Sequence, residues 1–425
     1  MGDAMDEDAP RVSDDERSED EDRRPGGRRS LEKSKSRSRS RSREREPEKR
    51  RPPSDDKPRA ASANTDTMTI GDEDAAFLLG AGGSTKRKVA RAAGARLDLD
   101  DDKETRGRHV LTVSGSDAAR ARAMDYVRWV LRQRLGAIEV THASKRDDLS
   151  VVRVPADCVA YVTGKSGRVL RSVEEEFGTL MFFGKLVGEE PDGGEESRND
   201  ETLCVLGDRR GRRGAELKVM SAVEHKTPGV FVNDQAKLRE RLKQPGDGLG
   251  DGFGYDVFPF EEHEFSYALG AQGSTRKKLA AASGALLEYV GRAAVMAGTR
   301  AERSRCWDYL TWLLKQRKGS KVFVDDPEKR DDCTELRIPR GAAGRVQGKA
   351  GETLRSIERE TKTFCFLVPD RDDPDGKEEL VLIFGADKKR RYKALDLMED
   401  AMSGRYRARD GDRGGRRDER RRDGS

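Results

Sequence analysis

With 425 residues, 39% of them charged and only 34% hydrophobic, the chain has room for two to four small domains but cannot bury a core along its whole length. Its net charge of +5 is unevenly spread: residues 1–22 hold 11 acids against 2 bases, residues 23–59 hold 16 bases against 6 acids, and residues 403–425 hold 9 Arg against 5 acids, which leaves residues 60–402 near neutral. Any attraction to a polyanion therefore resides in the arms and in local patches rather than in a uniformly basic core. No apolar run reaches the ~18–20 residues of a membrane-spanning helix. Cys158, Cys204, Cys306, Cys333 and Cys365 are scattered singly, which supports neither a disulfide framework nor a zinc site. The acidic start "MGDAMDEDAP" has no hydrophobic segment behind it, and Asp6 stands where myristoylation needs Ser or Thr. These features predict a soluble intracellular protein with no membrane partner.

Residues 1–63 have almost no large apolar side chains and are expected to be disordered, acidic first and basic after. Within them "SKSRSRSRSR" (34–43) alternates serine with basic residues. The tract resembles the arginine-serine (RS) segments of splicing-associated proteins, which implies phosphorylation at Ser34, Ser36, Ser38, Ser40 and Ser42, each adding about −1.5 to −2 charge. Other RS-containing proteins are then expected partners.

The first ordered stretch starts with a short strand, "TMTI" (67–70), then a helix "DEDAAFLL" (72–79) with acids in its first turn, where the helix dipole favours them. Gly80-Ala81-Gly82-Gly83 interrupts, "STKRKVARAA" (84–93) is helical again, and Gly94 ends it. "ARLDLD" and "RHVLTV" alternate as strands should. Ser116 then caps a long helix, 117–135, with Ala123, Tyr126, Val127, Val130 and Leu131 on one apolar stripe. The order is β-α-α-β-β-α, and it recurs. "LLGAGGSTKRKVARAAGARLDLD" (78–100) matches "ALGAQGSTRKKLAAASGALLEYV" (268–290), and "VTGKSGRVLRSVEEEFGTLMFF" (162–183) matches "VQGKAGETLRSIERETKTFCFL" (346–367). "DYVRWVLRQR" (125–134) echoes "DYLTWLLKQR" (308–317), and "KRDD" occurs at 145–148 and 329–332. In the third copy Thr299 and Glu302 form a capping box ahead of a helix whose Trp307, Leu310, Leu313 and Leu314 are expected in the core. A duplicated pair of modules predicts the division 64–138, 139–227, 255–319 and 320–403, with a Gly-rich linker at 228–254, its hinge at 244–254, and an Arg-rich disordered tail at 404–425.

The chemistry-bearing feature is a G-x-x-G between two short helices, four times: Gly80-Ala81-Gly82-Gly83, Gly164-Lys165-Ser166-Gly167, Gly270-Ala271-Gln272-Gly273 and Gly348-Lys349-Ala350-Gly351. A nucleotide-hydrolysing P-loop needs a glycine where Val159 stands, and a Ser or Thr where Ala350 stands, so that reading fails on spacing. Glycines allow a sharp turn and close approach of a phosphate, and the following helix aims its N–H groups at the same place. Lys165 and Lys349 add a cation within the loop; Lys86, Arg168 and Arg276 follow shortly after.

The four copies resemble the K-homology (KH) family, type I. The resemblance implies an α+β fold of four modules, each a three-stranded sheet packed by three helices, whose G-x-x-G loop clamps about four nucleotides of single-stranded RNA or DNA. It also implies a base groove lined by the two helices and the middle strand, and two apolar residues on the second helix. Leu170 and Val173, and Leu354 and Ile357, fit that pattern; the first and third copies put Lys86 and Arg276 at the first apolar position, which either adds a phosphate contact or alters the groove. The implied function is a non-enzymatic, nuclear RNA-binding protein of pre-mRNA processing, with no cofactor or metal. The alternative is a protein-interaction scaffold with degenerate modules, in which the basic arms make any RNA contact. No catalytic set clusters in sequence, and His109, His142, His225 and His263 stand alone.

Overall fold

The computed structural model describes residues 64–406, apart from 142, 144–145, 188–199, 233–234, 245–246, 320–321 and 370–375. The serine tract with Ser34, Ser36, Ser38, Ser40 and Ser42, and the Arg-rich tail past residue 406, lie outside the described residues.

Four units share one element order. The first is β1 (Thr65–Gly71), α1 (Asp72–Leu79), α2 (Ser84–Ala93), β2 (Arg96–Asp101), β3 (Arg108–Ser114) and α3 (Asp117–Gln133). After a short β4 (Ile138–Thr141) comes the second: β5 (Leu149–Pro155), α4 (Ala156–Thr163), α5 (Arg168–Phe177), β6 (Leu180–Val187), β7 (Asp200–Leu206) and α6 (Arg209–Lys226). Helix α7 (Gln235–Leu242) leads to the third: β8 (Gly254–Pro259), α8 (Phe265–Leu269), α9 (Ser274–Ser283), β9 (Leu286–Val290), β10 (Ala293–Gly298) and α10 (Arg300–Arg317). The fourth is β11 (Cys333–Pro339), α11 (Arg340–Gln347), α12 (Glu352–Thr361), β12 (Phe364–Pro369), β13 (Glu378–Phe384) and α13 (Lys388–Met402). The fold is α+β, as expected. Each unit's last strand lies at the centre of its sheet, in the orders β1-β3-β2, β8-β10-β9 and β11-β13-β12. In these three units the second strand is therefore a sheet edge. The second sheet has four strands rather than three, because β4 pairs in parallel with β6 to give β4-β6-β7-β5.

The long third helix of each of the first three units covers the far face of the next unit's sheet. Tyr126 and Val130 of α3 share a core with Leu149, Phe182, Cys204 and Leu206 of the second sheet, and Trp129 lies 6.0 Å from Phe182. Helix α6 repeats this on the third sheet, with Met220 and Val223 clustered with Val257, Val290 and Val295. In α10, the rings of Tyr309 and Trp312 lie tilted at 5.6 and 4.7 Å from Phe384 of the fourth sheet. The sequence records the difference. Strand β10, covered on both faces, is buried at every position, whereas β3, with no unit before it, alternates.

The repeated K-R-D-D motif now has a cause. Asp148 accepts a hydrogen bond from the Tyr126 hydroxyl (2.9 Å) and two from Arg146 (2.7 and 2.8 Å), while Arg146 also pairs with Asp125 and lies over Trp129 at 4.9 Å. Asp332 repeats the set with Tyr309 (2.9 Å) and Arg330 (2.8 and 3.0 Å), and Arg330 reaches Asp308 at 3.1 Å and lies over Trp312. Each network ties one unit's third helix to the first strand of the next, inside a low-dielectric interface where satisfied polar groups fix a single arrangement.

The linker 228–254 carries packed structure ahead of its Gly-rich stretch. Leu238 and Leu242 of α7 are fully buried against α6 and the third sheet. Asp247 holds Arg209 at 2.7 Å and the fully buried Arg213 at 3.4 Å. The two leucines, four apart, give α7 an apolar edge that outweighs the flexibility of the glycines after it. Trp307 also departs from expectation: it is 40% exposed and meets Phe258 edge-on at 4.8 Å.

Candidate nucleic-acid interface

The four G-x-x-G loops adopt one backbone path. The first glycines, Gly80, Gly164, Gly270 and Gly348, have φ of 67–70° and ψ of 169–177°, a region open essentially to glycine alone. A side chain there would also collide with the helix that follows: a Cβ on Gly348 would lie 2.2 Å from Thr353 Oγ1, and on Gly164 2.4 Å from Val169 Cγ2. The third position is left-handed whatever its residue, at Gly82, Ser166, Gln272 and Ala350 (φ 51–54°). The last glycines, Gly83, Gly167, Gly273 and Gly351, are left-handed too (φ 72–79°) and start the second helix. Three positive-φ residues in four turn the chain tightly enough to set the helix start against the loop. We expect Gly348→Ala to lower stability by about 1–3 kcal/mol, the usual cost of such a conformation. Gly351→Ala, whose nearest foreign atom is an arginine tip at 3.1 Å, should cost less. Equal midpoints for both variants in urea would show that the loop path is not constrained.

Lys165 and Lys349 are exposed at the loop tips, next to Ser166 and Ala350, and neither has an ion-pair partner among the described residues. Ala81 and Ala271 hold the same position without charge. Arg168 is exposed at the start of α5, and Lys86 is half-buried on α2. Arg276 is where expectation and structure part. Its guanidinium reaches across from α9 to the edge strand β9, pairing with Glu288 at 2.6 Å and donating to the Leu287 carbonyl at 2.5 Å, and only 12% of the side chain is exposed. A cation so engaged is not free for a phosphate. It bridges the second helix and second strand of its unit.

The last lysine of "STKRK" and of "STRKK" points elsewhere as well. Lys88 pairs at 2.7 Å with Glu174 of the second unit, and Lys278 at 2.9 Å with Glu358 of the fourth. Both carboxylates are almost fully buried and also accept a backbone N–H, from Met181 and Cys365. Burial pushes both carboxyls above the usual range, with the lysines pulling the other way. Glu174 thus belongs to the interface between units, not to the rim of a loop.

One recurring residue escaped sequence reasoning. Arg87, Arg171 and Arg355, seven positions after the first glycine, curl back over the loop. Arg87 donates to the Gly82 carbonyl at 2.7 Å, and the Arg171 and Arg355 tips lie 3.0 and 3.1 Å from where a Cβ would sit on Gly167 and Gly351. The signal was the fixed spacing across three copies, with Lys277 in the third. The histidines are less isolated than the sequence implies: His109 lies between Asp72 (2.9 Å) and Asp101 (3.0 Å), and His263 groups with Glu261 and Glu264. Glu264 is already held by Lys318 at 3.0 Å. Burial pushes the thiols of Cys204, Cys306 and Cys333 up to about 12, so they are protonated at neutral pH.

Residues 333–400, the fourth unit, match the KH domain family. The chain is similar to Far upstream element-binding protein 1 of Rattus norvegicus, at 22% identity over 368 residues that cover 80% of this chain and 54% of that protein. It is also similar to Far upstream element-binding protein 2 of Homo sapiens, at 22% identity over 232 residues, 53% of this chain and 30% of that protein. The chain thus spans about half the length of the first of these relatives. A solved structure of Dim2p from Pyrococcus horikoshii OT3 overlaps 40% of this chain and 91% of that one at 16% identity, with a TM-score of 0.23, too loose for any inference.

Proposed function

We propose that this chain binds single-stranded nucleic acid, RNA in the first place, through four KH modules whose G-x-x-G loops clamp the sugar-phosphate backbone. The observation that carries this reading is the loop itself, one backbone path repeated four times, with a free, exposed lysine at its tip in the second and fourth units. Those two units also keep the apolar pair on the second helix, Leu170 and Val173, and Leu354 and Ile357. We assign the principal contacts to them: Gly164, Lys165, Ser166, Gly167 and Arg168, and Gly348, Lys349, Ala350 and Gly351. The first loop, with Lys86, contributes less, and the third least, because Arg276 is held by Glu288. The likeness to proteins named for binding a far upstream element supports a nucleic-acid partner.

On this reading two readers alternate with two units that mainly hold the array together, and linking weak sites raises affinity through effective concentration. The RS-like tract supports a nuclear protein of pre-mRNA processing, without enzymatic activity of its own. Phosphorylation of its serines would weaken its pull on RNA and change its protein partners.

The test is fluorescence anisotropy of the full chain with a 30-nucleotide random single-stranded RNA pool and with the same length as duplex. Preference for the single strand is expected, because splayed bases and a clamped backbone are features of unpaired strands. Equal affinity for both would favour the scaffold reading, in which basic arms bind any polyanion.

A further inference from the structure

Between the two pairs lies a feature that the other junctions lack. The connectors 134–148 and 318–332 carry no α-helix among their described residues, but the longer connector 227–253 carries α7. Where α7 passes β8 and α10 there is an open pocket of about 530 Å³, within the usual range for small-ligand sites. Its wall combines cations with aromatic surface: Arg239 and Lys243 from α7, Tyr255 from β8, Arg303 and Trp307 from α10.

The charges do not cancel. Asp256 is taken by Arg303 at 2.8 Å, and Asp247 by Arg209 and Arg213. Arg239 and Lys243 are both exposed, and neither side chain has an ion-pair partner among the described residues. Trp307 is more exposed than Trp312, which is 7% exposed in the core. Its counterparts at the same point of the other third helices are Met124, Glu216 and Leu395, so packing of the repeat does not require an indole there. Unpaired cations beside an exposed indole form the combination that holds a nucleotide of an unpaired strand, phosphate on the cations and base against the ring.

We propose that this pocket holds one nucleotide of the bound single strand as it passes from the second unit to the third, with its phosphate on Arg239 and Lys243 and its base against Trp307. The proposal rests on the nucleic-acid reading above.

It is tested on the full chain with the same 30-nucleotide RNA pool over a salt series, comparing wild type, Arg239→Gln/Lys243→Gln and Trp307→Phe. Releasing the one phosphate that both cations hold should flatten the slope of log K against log salt by about 0.7, the value per phosphate on a single strand. Binding near physiological salt should fall by about tenfold, the scale of one lost stacked or ion-paired nucleotide. RNA should quench the intrinsic fluorescence of the wild type, and most of that quenching should vanish in Trp307→Phe. All three positions are at the surface, so thermal melting serves as the control for folding. An unchanged slope in the double variant, or unchanged quenching in Trp307→Phe, overturns the pocket while leaving the loop reading intact. A wild type that binds no RNA overturns both.

Discussion

A chain carrying both Lys165→Asp and Lys349→Asp is expected to bind single-stranded RNA about 100-fold more weakly than wild type while melting at the same temperature. A unit charge beside a phosphate at a protein surface is worth roughly 1–4 kcal/mol, and even ~1.4 kcal/mol per loop is a factor of about ten. The two losses multiply because both loops act on one strand. Folding should survive for local reasons. Both lysines are exposed, neither lies in the positive-φ region, and neither has an ion-pair partner to lose among the described residues. An aspartate just ahead of a helix N-terminus is favoured by the dipole. The same change in the uncharged loops, Ala81→Asp and Ala271→Asp, should cost less affinity, because no cation is removed. Unchanged affinity in the Lys165→Asp/Lys349→Asp chain, with intact melting, would contradict the clamp.

The largest effect on stability is expected at Asp332. Its side chain is 1% exposed, and it accepts hydrogen bonds from Tyr309 and, twice, from Arg330. Asp332→Ala leaves the buried Tyr309 hydroxyl without its acceptor and Arg330 with Asp308 alone, so about 3–5 kcal/mol should be lost, the range for breaking a buried pair from one side. Arg330 is 26% exposed and gains some hydration, which favours the lower end of that range. Tyr309→Phe removes the hydroxyl together with its need for a partner and should cost about 1 kcal/mol. Urea unfolding of the three proteins measures the difference. A loss below about 1 kcal/mol in Asp332→Ala would show that this network does not hold the third and fourth units together. Asp148 should behave alike, since Tyr126 and Arg146 surround it in the same way.

Much of this arrangement was legible because the sequence repeats itself. The loops, the helices on either side of them, the Ser116 cap and the Thr299–Glu302 capping box all follow from local rules, and four copies separate signal from coincidence. What could not be read depends on tertiary contacts, most of them between units. Lys88 meets a glutamate 86 residues away and Lys278 one 80 residues away, so two bases that look available beside the loops are spent on an interface. Arg276 finds Glu288 only because α9 and β9 lie side by side in the fold. The glycines of 244–254 give no hint that, just before them, two leucines four residues apart bury α7. The K-R-D-D repeat was visible without its meaning, since the tyrosine it serves lies on the helix before it.

The most direct test of the clamp is binding of residues 63–406, without either basic arm, to the random single-stranded RNA pool across a salt series. Selective, salt-sensitive binding is the predicted result, and it would place recognition in the folded units. Loss of binding in this fragment, while the full chain still binds, would assign the RNA contact to the arms and contradict the account.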